Sequence, residues 1–168
     1  MNCNCYITSW VYIPNKRIDK FKFKKKAGGI LKHKNRLLLV QSRGNMWGFP
    51  KGSLELNESV LDCALREVQE ETSLLIPFTE DDKKYYLNDI VFFYKNLEGV
   101  PPIDHQKIRK MKNNDCSGIA WIDLECLERM GRCFDLLSDD DIHNIKINSS
   151  LKKFIRTNLK YLKNENSY

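Results

Sequence analysis

The 168-residue sequence predicts an α/β protein, a mixed sheet packed between helices. Three observations predict it. Short apolar runs bounded by turn signals, Arg36–Gln41, Tyr85–Lys95 and Ile119–Ile122, have the length and the β-branched or aromatic content of strands. Between the first two lies one stretch of helical period, with Val60, Leu61, Ala64, Leu65 and Val68 as its apolar stripe. A second helical stretch, Ile142–Leu162, follows the last strand and carries Ile145, Leu151, Phe154, Ile155, Leu159 and Leu162 beside its lysines. Strands before and after one helix, with another helix behind, satisfy either an α+β or an α/β/α arrangement.

Taken in order, Tyr6–Ile13 reads as a strand ended by the Pro14-Asn15 turn. Phe21 and Phe23 among lysines read as an edge strand or a basic loop. Ala27–Leu31 is a strand whose glycines, Gly28 and Gly29, allow close approach of a nucleotide or of a neighbouring element. Lys34-Asn35 is a hairpin turn, Ser42–Met46 a loop, and one of Trp47 and Phe49 goes to the core. Ser53, Asn57 and Ser59 are each able to cap the first helix. Beyond it, Thr79–Lys84 and Leu97–Asp104 are loops, and His105–Asn114 is expected to be a basic, mobile segment. Leu124–Met130 is a short helix, and Asp139, Asp140 and Asp141 stand as caps for the last one. Three units follow: an N-terminal strand and basic segment over 1–26, a core over 27–138, and a basic helix packed on that core over 139–168.

The net charge of +6 is unevenly spread. Lys16–Arg36 holds ten lysines and arginines against Asp19, and the C-terminal stretch adds Lys146, Lys152, Lys153, Arg156, Lys160 and Lys163. Such segments suit a polyanion and equally suit a solvated face. Six cysteines occur without a C-x-x-C pair or a His/Cys cluster, so no zinc site is expected and the thiols read as reduced in an intracellular, cytoplasmic setting. The first residues lack a charged and then apolar leader, and no run approaches the about 20 apolar residues of a membrane span.

The chemistry gathers at Trp47–Leu74. A turn containing Gly48, Pro50 and Gly52 leads into the first helix, on which Glu67, Glu70 and Glu71 lie at spacings of three and four. These spacings place the carboxylates on one face, about 5–6 Å apart at Cβ. Like charges so placed destabilise a helix by a few tenths of a kcal/mol, and Arg66 offsets only part of that. Converging carboxylate oxygens suit Mg²⁺ or Mn²⁺ when the ion also holds phosphates, whereas a solvated acidic face needs no ion.

Gly52, five residues, Glu58, seven residues, then Arg66-Glu67-Val68-x-Glu70-Glu71 resembles the Nudix box, with Ser73 where that box has glycine. The resemblance implies an α/β/α sandwich and a metal-dependent pyrophosphohydrolase using Mg²⁺ or Mn²⁺. By position, Glu67, Glu70, Glu71 and the Gly52 carbonyl are the implied metal ligands, with Glu58 and Arg66 pairing to orient loop and helix. Ser73 costs a little at a left-handed helix end and removes no ligand.

Within that family, W-G-F-P-K-G followed by D-C-A-L-R-E-V-x-E-E-T is similar to the mRNA-decapping branch, including its shortened viral members. Asp115-Cys-Ser-Gly-Ile-Ala-Trp121 resembles that branch's E-I-x-x-I-x-W stretch, whose acid serves as base. Asp115 is one methylene shorter and is equally an ordinary turn aspartate. The resemblance implies capped RNA as partner, no prosthetic group and a C-terminal basic helix on the RNA body. The RNA-binding candidates are Lys152, Lys153, Arg156 and Lys160, together with Lys24 and Lys25 ahead of the core. The expected reaction is cleavage of the cap to m7GDP and 5′-monophosphate RNA. A dinucleoside polyphosphate or diphosphoinositol polyphosphate hydrolase, and an RNA-binding module of weak turnover, are the alternatives.

Overall fold

The structure is a computed structural model that describes residues 5–10, 24–42, 46–110, 116–133 and 146–164. Its strands are β1 (Tyr6–Trp10), β2 (Lys26–His33), β3 (Arg36–Ser42), β4 (Met46–Gly48), β5 (Lys51–Ser53), β6 (Lys84–Leu87), β7 (Ile90–Asn96), β8 (Cys116–Asp123) and β9 (Lys146–Ile147). The helices are α1 (Val60–Thr72), α2 (His105–Lys110), α3 (Leu124–Cys133), α4 (Ser149–Thr157) and α5 (Leu159–Asn164).

The main sheet runs β1-β8-β3-β2-β7-β6. It is mixed, because β2 and β7 pair in parallel over Lys26↔Ile90 to Lys32↔Asn96 while β3 and β8 run antiparallel. Alternation splits its side chains into two layers. Leu37 and Leu39 of β3 face α3, α4 and α5 with Phe92, Leu127, Phe154 and Leu162. Leu38 and Val40 face α1 with Cys63, Ala64, Val68 and Phe93. Both faces are covered, so the central strands are apolar on both sides, and the molecule is the expected α/β/α sandwich.

Local chemistry sets the limits of α1. Of the three possible caps, Ser59 has extended backbone and its hydroxyl accepts the Asp62 N–H at 3.0 Å. At the other end Ser73 is left-handed, φ 63°, and its N–H donates to the Gln69 carbonyl at 2.8 Å. Gly28 and Gly29 serve packing: a Cβ on Gly28 would strike Pro50 and Lys51, and one on Gly29 would strike Val68 and Phe78.

Several sequence expectations change. Tyr85–Lys95 is a hairpin of β6 and β7 rather than one strand, because Asn88 takes φ 56° in a two-residue turn. Trp47 and Phe49 are both buried. His105–Lys110, in the segment expected to be basic and mobile, forms α2. The last helix begins seven residues later than expected. Lys146–Ile147 pairs with β4 as β9, Asn148 caps α4 by accepting the Leu151 N–H at 2.9 Å, and the helical run breaks at Asn158 into α4 and α5. Asp139–Asp141, the expected caps, fall outside the described residues, as do Phe21, Phe23 and the lysines before Lys24.

Candidate active site

A sharp turn and one helix build the site. β5 pairs with β2 at Ala27↔Gly52, which holds the glycine turn against the sheet, and α1 crosses behind it. The turn approaches α1 closely at Gly52: a Cβ there would fall on the Glu67 carboxylate and displace it. Glu71 is 94% removed from solvent and accepts the Lys51 backbone N–H at 2.8 Å, so turn and helix are tied at that point.

Arg66 organises the rest. Its Nε and Nη2 donate to the two oxygens of Glu58 at 2.7 and 2.9 Å, a bidentate pair. Nη2 also reaches the Ser53 carbonyl at 3.1 Å, and Nη1 donates to Glu67 at 2.7 Å and Glu70 at 3.2 Å. Arg66 thus bonds Glu58 and two of the three glutamates at once.

The charge balance is uneven. Burial lifts the Glu67 carboxyl above its ordinary range, and Glu70 and Glu58 push it the same way, while Arg66 pulls it down. Glu58 goes the other way: the hydrogen bond from Arg66 lowers it against its own burial. Burial first, then the negative charge of Glu58 and Glu67, pushes the Cys63 thiol up to about 12, so Cys63 stays protonated and is no nucleophile. Its Sγ lies 3.7 Å from the Gly52 carbonyl oxygen.

Glu67, Glu70 and Glu71 line a cleft of about 410 Å³, whose other walls include Lys24, Lys26 and Lys51. Lysines beside carboxylates in one cleft can hold a polyphosphate on one side and a hard cation on the other. Among the described residues no three His, Cys, Asp or Glu side chains are already gathered to hold a metal ion. The donor set nevertheless fits Mg²⁺ or Mn²⁺: it is carboxylate oxygen throughout, with Glu67, Glu70 and Glu71 lining one cleft.

The candidate RNA contacts divide. Lys24 lines the cleft, and Lys25 is exposed beside it, its carbonyl accepting the Leu54 N–H at 3.1 Å. Lys152, Lys153, Arg156 and Lys160 ride on α4 and α5, in the layer across the sheet from α1, and do not line the cleft. Asp115 lies outside the described residues. The sequence reading missed Leu56, a cleft-lining leucine that is 92% exposed; its only signal is an apolar residue between Glu55 and Asn57 in a turn.

The NUDIX domain matches residues 22–136. Over 104 residues, 61% of this chain, the sequence is 36% identical to protein 111R of Invertebrate iridescent virus 3 and spans 60% of that protein. Over 66 residues, 39% of this chain, it is 33% identical to the m7GpppN-mRNA hydrolase of Saccharomyces cerevisiae, of which it spans 6%. The fold is similar to a C. elegans Ap4A hydrolase in a binary complex, with TM-score 0.55 and 16% identity, covering 83% of this chain and 99% of that one. No helix among the described residues is long and apolar enough to cross a membrane. The domain match takes in β2, the glycine turn and the whole of α1, and on that ground the chain belongs to the Nudix hydrolase family.

Proposed function

We propose that this Nudix hydrolase cleaves the triphosphate bridge of the 5′ cap of RNA, releasing m7GDP and a 5′-monophosphate RNA. One observation carries the reading: a single cleft is lined by Glu67, Glu70 and Glu71 together with Lys24, Lys26 and Lys51. The likeness to the yeast m7GpppN-mRNA hydrolase supports the cap as substrate.

Mg²⁺ or Mn²⁺, when bound, supplies a Lewis acid for the phosphate and acidifies the attacking water. Glu67, Glu70 and Glu71 would hold it, with the Gly52 carbonyl, 3.7 Å from Cys63 Sγ, as the further donor that the box implies. Arg66 and Glu58 fix the helix against the turn, and the Glu71 contact to Lys51 fixes the turn against the helix. The lysines neutralise the bridge oxygens and orient the chain of phosphates for in-line attack. The water proton must leave as the P–O bond forms. Glu70, whose side chain is 32% exposed against 12% for Glu58 and Glu67, is the most open of the three glutamates that meet Arg66, and Asp115 is the second acceptor proposed from the sequence.

One observation favours a smaller substrate, a dinucleoside polyphosphate or a diphosphoinositol polyphosphate. The basic side chains of α4 and α5 stand across the sheet from the cleft, so RNA must pass round the molecule to touch both. Cap-labelled long RNA, free cap analogue, diadenosine tetraphosphate and diphosphoinositol phosphates, each incubated with Mn²⁺, separate the readings. Release of m7GDP from long RNA ahead of every small compound is the expected result. Faster turnover of a small compound overturns cap cleavage, and tight RNA binding without turnover of any compound makes the chain an RNA-binding module.

A further inference from the structure

Leu56 is the most exposed large apolar side chain among the described residues, 92% open to solvent, yet it lines the cleft that holds the glutamates. Its neighbours there are almost all charged or polar. Isolated exposed leucines are common on surfaces, but this one is held in place. The Leu54 N–H donates to the Lys25 carbonyl at 3.1 Å. The Glu55 N–H donates to the Glu58 carboxylate at 2.9 Å, and the Glu58 N–H returns to the Glu55 carbonyl at 3.2 Å. Asn57 takes the left-handed conformation, φ 63°, which closes the turn. Glu58 is itself clamped by Arg66. The turn therefore presents Leu56 at low entropic cost, beside the place where phosphates are expected.

We propose that Leu56 determines specificity by contacting the apolar face of a nucleoside attached to the phosphates. An inositol ring carries a hydroxyl or phosphate on every carbon and leaves only small C–H faces between them, whereas a purine offers a broad flat one. The inference rests on the hydrolase reading of the same cleft and narrows it to nucleoside-bearing polyphosphates, with capped RNA as one member.

The test compares wild type, Leu56→Ala and Leu56→Phe on diadenosine tetraphosphate and on a diphosphoinositol phosphate with Mn²⁺. Equilibrium binding of GDP and of inorganic pyrophosphate in Ca²⁺ is measured beside them. Losing a contact of about 40 Å² should raise KM for the dinucleotide and Kd for GDP about fivefold. The kcat should stay within about twofold, pyrophosphate binding should not change, and Leu56→Phe should restore GDP binding. The side chain is exposed, so thermal stability should be equal in all three proteins. An unchanged Kd for GDP in Leu56→Ala, a matching loss for pyrophosphate, or no GDP binding by wild type overturns the proposal. Poor cleavage of long capped RNA with an intact Leu56 effect on GDP overturns cap cleavage alone.

Discussion

Ser73 Oγ accepts the backbone N–H of Asp104 at 2.7 Å, joining the end of α1 to a segment 31 residues further on. Asp104 in turn accepts the Gln106 and Lys107 N–H groups at 3.0 Å and so starts α2. The serine that replaces the glycine of the box has thus gained a partner that glycine cannot have.

Two substitutions separate the strain at Ser73 from this bond. Ser73→Ala keeps the left-handed strain and loses the acceptor, and should cost about 1 kcal/mol. Ser73→Gly loses the acceptor and relieves the strain, and should lie within about 0.5 kcal/mol of wild type. Urea denaturation reads both; equal losses in the two proteins would show that the strain contributes nothing, and no loss in Ser73→Ala would show that the bond contributes nothing.

The Arg66–Glu58 pair should make the fold acid-sensitive. The folded-state pKa of Glu58 lies below its ordinary 4.5, chiefly through the hydrogen bond from Arg66. A depressed carboxyl contributes stability that is present above 4.5 and is lost as the pH falls through the lowered value. Glu58→Gln should flatten the stability profile in that acidic window. Arg66→Lys, which cannot make the fork, should cost about 2 kcal/mol at neutral pH. Thermal melts from pH 3 to 7 check both.

Glu67 carries the opposite sign. Its folded-state pKa is raised by burial above 4.5, so without metal the molecule loses stability as the pH rises from 4.5 through the raised value. Glu67→Gln should therefore melt higher than wild type in EDTA at neutral pH. It should also lose the stabilisation that Mn²⁺ gives wild type, and most of its turnover. A variant that melts no higher in EDTA, or that Mn²⁺ stabilises as well as wild type, contradicts the assignment of Glu67 as a ligand under surplus charge.

Charge reversal at Lys152, Lys153 and Arg156 tests the far layer. Binding of long RNA should weaken, and the salt slope should fall by about 0.9 for each phosphate contact removed. Turnover of a free cap analogue should not change, because these side chains lie outside the cleft. Filter binding from 50 to 300 mM salt measures the slope; an unaltered slope removes α4 from the RNA path.

Much of this was present in local pattern. The apolar stripe of α1, the acidic row beside it and the glycine turn ahead of it are properties of neighbouring residues, and helical spacing alone puts Glu67, Glu70 and Glu71 on one side. The Arg66–Glu58 pairing followed from the box. Strands β2, β3 and β8 were legible because sheets covered on both faces demand continuous apolar runs. Boundaries read less well where one residue decides them, as Asn88 does in splitting β6 from β7 and Asn148 in starting α4.

The sequence by itself determined which groups carry charge and which stretches are able to be helix or strand, since both are settled within a few residues. Only the tertiary structure decided that α1 and α4 take opposite faces of the sheet and that Leu56 stands open at the cleft. It alone sets Asn148 against Gly48, with the Asn148 N–H on the Trp47 carbonyl at 2.9 Å. Those outcomes depend on contacts between residues up to about a hundred positions apart. Burial, crossover and close approach decide such contacts, and none of these is written in a local period.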